Sequence, residues 1–328
     1  MKIELFQQLI CPVCSGSLYI HPPTEDITPI KTGEIICQNC SRNYPVYQGI
    51  IDLRTGVTKK GAWDLTAFES DYQKKAFYKD IYEYADLDKI PRWVEELRYS
   101  KVKRRVVKLL KPLQNSLILD LGCGNGYFIF DVLSHYPEKN LCFIGLDIAR
   151  PNIDRLNQRV QEEHKDNIIG LLGEAENLPF ADEMFDFIVS SEVVEHLFNP
   201  LLAFKQAYRV LKKGGRFFIT TPARPVTDFW NALFRLPVKI GRFLKGQLTP
   251  PVAYDRPLDR KRLRNYLTNA GFKILRMEQS AVMPHESYLS HFPRSLLWLM
   301  IKTGDWLEKR FKHLVGFAGL HYLVECEK

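Results

Sequence analysis

The 328-residue chain has no stretch of about 18 or more apolar residues, so no helix of membrane-spanning length is expected. Its first residues, MKIELFQQLICPVC, lack a long apolar core, and no secretory signal is expected from them. Cysteine is sparse, with seven in all, and four fall in two CxxC pairs. That usage points to metal in a reducing compartment rather than to a disulfide framework. The expected location is cytoplasmic, with a peripheral position at the inner membrane surface as an open extension. No internal repeat is visible. The chain also lacks a complete G-x-G-x-x-G dinucleotide fingerprint: after Gly122 and Gly124, the last glycine would fall at Tyr127.

What stands there instead is LILDLGCGNGYF, from Leu117 to Phe128. An apolar run ends in Asp120, and Gly122, Gly124 and Gly126 follow at alternate positions. The run reads as a buried parallel strand and the residues after Gly126 as a helix. A strand, a glycine-rich turn and a helix let the backbone approach a ligand at the carboxyl edge of a sheet. A carboxylate just before the turn is badly placed for a pyrophosphate and well placed for an ammonium group. The alternation runs strand 117–121, helix 127–136, strand 141–147, helix 152–163, strands 168–172 and 185–190, helix 199–212 and strand 215–221. Late strands are expected near Phe272–Met277 and Leu320–Cys326. This rhythm requires an α/β fold with a mostly parallel sheet covered on both faces.

The pattern D-x-G-x-G-x-G resembles motif I of class I S-adenosylmethionine (SAM)-dependent methyltransferases, of the methyltransferase type 11 and ubiquinone/menaquinone-biosynthesis-like group. LCFIGLD (Leu141–Asp147), GEAENLPFADEMFDFIVSSEVVEHL (Gly173–Leu197) and VLKKGGRFFITTP (Val210–Pro222) resemble the later motifs, in order. The resemblance implies a Rossmann-like seven-stranded sheet whose last strand is antiparallel, with helices on both faces. It implies SAM as cofactor, its amino-acid end held by Asp120 and the loop Gly122, Cys123, Gly124 and Gly126. Asp147, 21 residues after Gly126, is expected on the ribose hydroxyls. Ile148 would cover the adenine face, Glu174 and Ala175 would meet the adenine edge, and Ser191 is expected among the cofactor-binding residues. Glu174 stands where the family often has Asp; otherwise it and Glu176 are solvated loop acids. His196, in EVVEHL, is a candidate base for an acceptor hydroxyl, or else a pocket wall or a cap. No metal-ligand set occurs in this part of the chain.

Cys11-Pro-Val-Cys14 and Cys37-Gln-Asn-Cys40 place four thiolates on two tight knuckles, the set that tetrahedral zinc prefers. Otherwise the pairs are redox-active or incidental. Residues 1–54 thus read as a zinc ribbon with a structural Zn²⁺, similar to those found ahead of some methyltransferases and to the zinc-ribbon activator of RNA and protein methyltransferases. Residues 62–115 are expected to form lid helices, with Tyr72 or Tyr78 facing the cofactor or buried in core. The catalytic domain is expected over 116–328, with a substrate insert at about 224–262.

Charge is uneven. From Arg235 to Arg276 there are eleven lysines and arginines and two acids, so the rest of the chain is close to neutral. Asp228–Leu248 interleaves Phe229, Trp230, Leu233 and Phe234 with Arg235, Lys239, Arg242 and Lys245. Such a segment suits an anionic lipid surface. The expected acceptor is a small or lipid-linked hydrophobic molecule, with peripheral contact to an anionic membrane. The alternative is RNA (tRNA or rRNA) held by the ribbon and the basic block; a third is a solvated charged face. The (Asp/Asn)-Pro-Pro-aromatic motif of nucleic-acid amino-methyltransferases is absent after Ser190, which favours the first. The oligomeric state is not legible.

Overall fold

The computed structural model describes residues 6–21, 32–55, 102–224, 258–280 and 321–328, with single positions between 295 and 310. Most of the expected lid region, the insert with Asp228–Leu248, and the apolar run Leu296–Ile301 except Leu299 lie outside the described residues. A four-stranded antiparallel sheet comes first: β1 (Leu18–His21), β2 (Thr32–Cys37), β3 (Asn43–Tyr47) and β4 (Ile50–Ile51), in that order across the sheet. A helix, α1, covers residues 102–110.

The main sheet holds β5 (Leu117–Leu121), β6 (Cys142–Asp147), β7 (Ile168–Leu172), β8 (Phe185–Ser191), β9 (Leu211–Pro222), β10 (Lys273–Ser280) and β11 (His321–Glu327). Its order is β10-β11-β9-β8-β5-β6-β7, with β11 antiparallel to both neighbours. The order reverses between β5 and β8, and ligands of open α/β sheets sit at the carboxyl ends beside such a switch. The helices are α2 (Tyr127–Leu133), α3 (Arg150–Glu162), α4 (Pro200–Val210) and α5 (Arg260–Asn269). Ile129, Ile153 and Leu156 pack with Val106 and Leu110 on one face; Phe204, Ala207, Leu263 and Leu267 pack on the other. Both faces are therefore covered, which is why LILDL and CFIGLD are apolar at successive positions.

Local chemistry sets the boundaries. Asn199 caps α4 through the Leu202 N–H at 3.1 Å, with Pro200 at the first helical position. Asp259 caps α5 through the Arg262 N–H at 2.8 Å. The expected strand 215–221 begins four residues earlier, because Leu211 follows α4 directly and pairs with Phe185. The expected helix from Tyr127 stops at Leu133 instead of 136.

The N-terminal module is docked on the main sheet. Past β4, Asp52 bridges Leu172 in parallel, and the Leu53 N–H donates to the Leu172 carbonyl at 2.9 Å. The module thereby covers the exposed edge of β7. Leu9, Tyr44 and Leu53 share one hydrophobic core with Leu171, Leu178 and Phe180. Asp52 and Arg54 form a buried ion pair, and Arg54 Nη1 donates to the Ile148 carbonyl at 3.0 Å.

Candidate active site

Both predicted acids end buried strands, but their surroundings differ. Asp120, the penultimate residue of β5, is 3% exposed, and its Oδ2 has no hydrogen-bond partner among the described residues. Burial, with a smaller contribution from the nearby Asp147 charge, pushes its carboxyl up to about 8. Asp147 is partnered on both oxygens. Its Oδ2 accepts the Gly124 N–H at 2.8 Å, while Oδ1 accepts the Ala149 N–H at 2.8 Å and Asn152 Nδ2 at 3.3 Å. Burial raises its pKa, and these donors work against that. The acid expected on ribose thus also ties the glycine loop to the start of α3.

The loop itself turns back through left-handed conformations at Gly122 and Gly124. A β-carbon at Gly122 would lie 2.3 Å from Val193 Cγ2, so glycine is required by packing. A β-carbon at Gly124 would meet nothing within 4 Å, although φ there is +53°. Gly124 therefore faces open space beside the orphaned Asp120, a cradle for a small cation-bearing ligand. Cys123 is buried, its Sγ 3.4 Å from the Gly124 carbonyl, and packs as a small side chain.

For Glu174 the alternative reading is ruled out. It is fully buried, not a solvated loop acid. Its Oε1 accepts the Thr55 N–H and the Thr55 hydroxyl, each at 2.7 Å, and Oε2 accepts Asn177 Nδ2 at 2.9 Å. The longer side chain at this position reaches the N-terminal module. Glu176 is likewise buried, with the Asn199 N–H on its Oε1 at 2.5 Å. Ala175 packs against the shared core, and Ile148 is held through its carbonyl by Arg54.

Beyond β8 the edge is built from side chains. Ser191 Oγ lies 2.9 Å from Thr220 Oγ1, whose hydroxyl donates to Glu192 Oε1 at 2.9 Å. Glu192 has φ +58°, an unfavourable conformation for a residue with a β-carbon. Its Oε2 lies 2.8 Å from His321 Nε2, and both side chains are nearly buried. Thr221 Oγ1 donates to the buried Glu195 Oε2 at 3.0 Å. His196 closes the short 3₁₀ turn Val194–His196, partly exposed, with Nε2 3.9 Å from Glu195 Oε1, beyond hydrogen-bond range. His321 escaped sequence reading. The usable signal was topological: an antiparallel last strand begins at the edge where the parallel strands end.

In the N-terminal module, Sγ atoms of Cys11, Cys14, Cys37 and Cys40 all lie within 4.8 Å of one another. Cys11 and Cys40 are 3.7 Å apart, Cys14 and Cys37 3.5 Å. A tetrahedral zinc with Zn–S of about 2.3 Å sets sulfurs about 3.8 Å apart, so the four fit that ion. The Asn39 and Cys40 N–H groups point at Cys37 Sγ at 3.4 and 3.5 Å. The Gly16 N–H is the main influence holding the Cys14 thiol down to about 7.

The sheet order, the glycine loop and the acid ahead of it are those of the class I SAM-dependent methyltransferase fold. Residues 119–219 match the family model described as a methyltransferase domain, and residues 2–49 match that of Trm112p-like proteins. The N-terminal module is thus a Trm112-like, zinc-ribbon-type domain. A biotin biosynthesis bifunctional protein BioHC from Teredinibacter turnerae is 43% identical over 108 residues, 32% of this chain but only 19% of that protein. A demethylmenaquinone methyltransferase from Lactococcus lactis is 29% identical over 64% of this chain and 88% of its own length. A tRNA U34 carboxymethyltransferase from Sulfurovum sp. is 30% identical over 45% of this chain and 46% of its own. Among solved structures, the Haloferax volcanii complex of the Trm112 methyltransferase activator with a methyltransferase covers 76% of this chain and 96% of its own. Its TM-score of 0.50 at 16% identity shows likeness of fold. Among the described residues, no helix is long and apolar enough to cross a membrane.

Proposed function

We propose that this chain moves a methyl group from SAM to a small or lipid-linked hydrophobic acceptor, with a structural zinc in its N-terminal module. The observation that carries the cofactor half is the buried, unpartnered Asp120 Oδ2 beside the open face of Gly124. SAM, when bound, supplies an electrophilic methyl on a sulfonium sulfur. Asp120 would face its ammonium group, Gly122–Gly126 would let the backbone approach its amino-acid end, and Asp147 with Ile148 would hold the adenosine. Most of the rate would come from alignment and exclusion of water at the carboxyl edge. Cys11, Cys14, Cys37 and Cys40 would hold Zn²⁺ as a closed four-sulfur site, with no part in the chemistry.

The acceptor reading is supported by the aromatic and basic composition of Asp228–Leu248 and by the similarity to a demethylmenaquinone methyltransferase. The tRNA reading has its own support in the Sulfurovum relative and the basic block. Flotation with anionic vesicles, run beside a filter assay with total RNA at several salt concentrations, separates the two. The expected result is vesicle association weakened by salt and by Trp230→Ala with Phe234→Ala. Tight, salt-sensitive RNA binding without vesicle association would promote the tRNA reading. Labelled methionine fed to cells with and without this protein would then find the product.

A further inference from the structure

We propose that His321 is a catalytic residue on the acceptor side of the site: its Nδ1 takes the proton of an acceptor hydroxyl.

Three observations converge on this atom. First, topology puts it at the carboxyl edge. β11 runs antiparallel, so its first residue, His321, lies opposite Pro222 at the end of β9, next to Thr220 and Ser191 at the ends of β9 and β8. At about 4.8 Å per strand, it lies roughly 14 Å across the sheet from Asp120, with β8 and β9 between. Those two strand ends are where an acceptor would lie if the amino-acid end of SAM is held at Asp120.

Second, the contacts favour one tautomer. Nε2 lies 2.8 Å from Glu192 Oε2, and an ionised carboxylate only accepts, so Nε2 carries the proton. Nδ1 is buried and has no hydrogen-bond partner among the described residues. A proton there would itself lack an acceptor, so Nδ1 presents a bare lone pair. Buried polar atoms without partners are rare, and an unmet acceptor beside a reaction centre is what a proton-abstracting group looks like before its substrate arrives.

Third, Glu192 is held in place at a cost. Its left-handed backbone is fixed by its N–H donating to the Thr220 carbonyl at 3.0 Å, and its other oxygen takes the Thr220 hydroxyl. Strain retained at a strand end aims this carboxylate at His321. The carboxylate also stabilises the imidazolium formed when Nδ1 takes up a proton, the role of the acid in any carboxylate–histidine pair.

The step balances without a further reactant. The acceptor O–H bond breaks with its pair on oxygen and its proton on Nδ1. The oxygen forms the new bond to the methyl carbon as the carbon–sulfur bond breaks with its pair on sulfur. The sulfonium becomes a neutral thioether, and the imidazolium later returns its proton to water.

This inference rests on the methyl-transfer reading, and the test keeps the two apart. Purified wild-type protein is given SAM labelled in the methyl group and a lipid extract of cells lacking the protein. No transfer by the wild type would sink the acceptor reading, and the His321 role with it. With transfer established, His321→Gln should lower the rate at least about a hundredfold. Its affinity for S-adenosylhomocysteine by calorimetry and its unfolding midpoint should stay near wild type. Imidazole added to His321→Ala should restore part of the rate, which a merely structural histidine would not allow. Independently of turnover, ¹⁵N spectra of the histidine rings should show His321 protonated at Nε2 and bare at Nδ1. Full activity in His321→Gln, absence of imidazole rescue, the opposite tautomer, or a loss that falls on His196→Gln instead would each overturn the proposal.

Discussion

The carboxyl edge of the main sheet has two halves built on different chemistry. On the β5–β6–β7 side, carboxylates are met mainly by backbone N–H groups: Gly124 and Ala149 on Asp147, Thr55 on Glu174. On the β8–β9–β11 side, side chains meet side chains: Ser191 with Thr220, Thr220 and His321 with Glu192, Thr221 with Glu195. Backbone donors fix a loop whatever residues flank it, which suits a cofactor that never changes. Side-chain networks are redesigned by substitution, which suits an acceptor that differs between relatives. Among the described residues, the N-terminal module meets the first half through Leu172, Ile148 and Glu174, and the segment ahead of β8 through Gln8 and Ile10, bonded to Ala181 and Pro179.

The sharpest way to break that contrast is to cut the attachment. Arg54→Met would leave Asp52 buried without its counter-charge, in a pair whose side chains are 3% and 2% exposed. Removing one member of such a pair costs about 3–5 kcal/mol. Denaturant unfolding should show that loss, and S-adenosylhomocysteine affinity should fall as the Ile148 carbonyl is released. Replacing both members by apolar residues, Asp52→Leu with Arg54→Met, should recover most of the stability. If Arg54→Met is neutral, the module is merely tethered. The next largest effect is expected from Asp147→Ala, which strips three donors of their acceptor. Hydrogen bonds to a charged acceptor contribute about 1.5–3 kcal/mol each, so loss of about 2–4 kcal/mol of cofactor affinity is expected. Calorimetry with S-adenosylhomocysteine measures it, and an unchanged affinity would show that the loop holds its shape without this acid.

The same contrast explains what the sequence made legible. β5 and β7 match their expected limits, and β6 and β8 come within one residue, because each is a mainly apolar segment between polar turns. Cys11, Cys14, Cys37 and Cys40 were found by spacing alone, since a metal knuckle is local in sequence. Asp120 and the three glycines were singled out because a backbone turn imposes residue types in a fixed order. Glu174 was located but its contact was missed: Thr55 lies 119 positions away, and no local pattern reports such a pairing. His321 was missed for a related reason. Its partner Glu192 comes from a different strand, and HYLVE reads only as the start of an apolar run. The early end of α2 and the early start of β9 are boundary matters, settled by tertiary pairing rather than by propensity.

The smallest expected effect is a pH dependence that belongs to the cofactor half alone. The Asp120 carboxyl is pushed up to about 8 by burial and the neighbouring Asp147, so at pH 7 most ligand-free molecules carry it protonated. An unfolded Asp titrates at about 3.9. The folded value is the higher one, so this group's contribution to stability is full below about pH 4. It is lost as pH rises through about 8. Binding an ammonium group reverses the preference, because the cation favours the carboxylate. SAM binding at pH 7 should therefore release close to one proton, read by calorimetry in two buffers of different ionisation enthalpy. Affinity should climb by up to tenfold per pH unit between about 6 and 8, each unit being about 1.4 kcal/mol. The climb should stop where the cofactor's own α-amino group loses its proton, at about pH 8. Asp120→Asn, which keeps the shape and removes the titration, should flatten the profile and release no proton. Proton release that persists in Asp120→Asn would move the linkage to another group, Asp147 being the one beside it, and would make the two acids of this half partners rather than opposites.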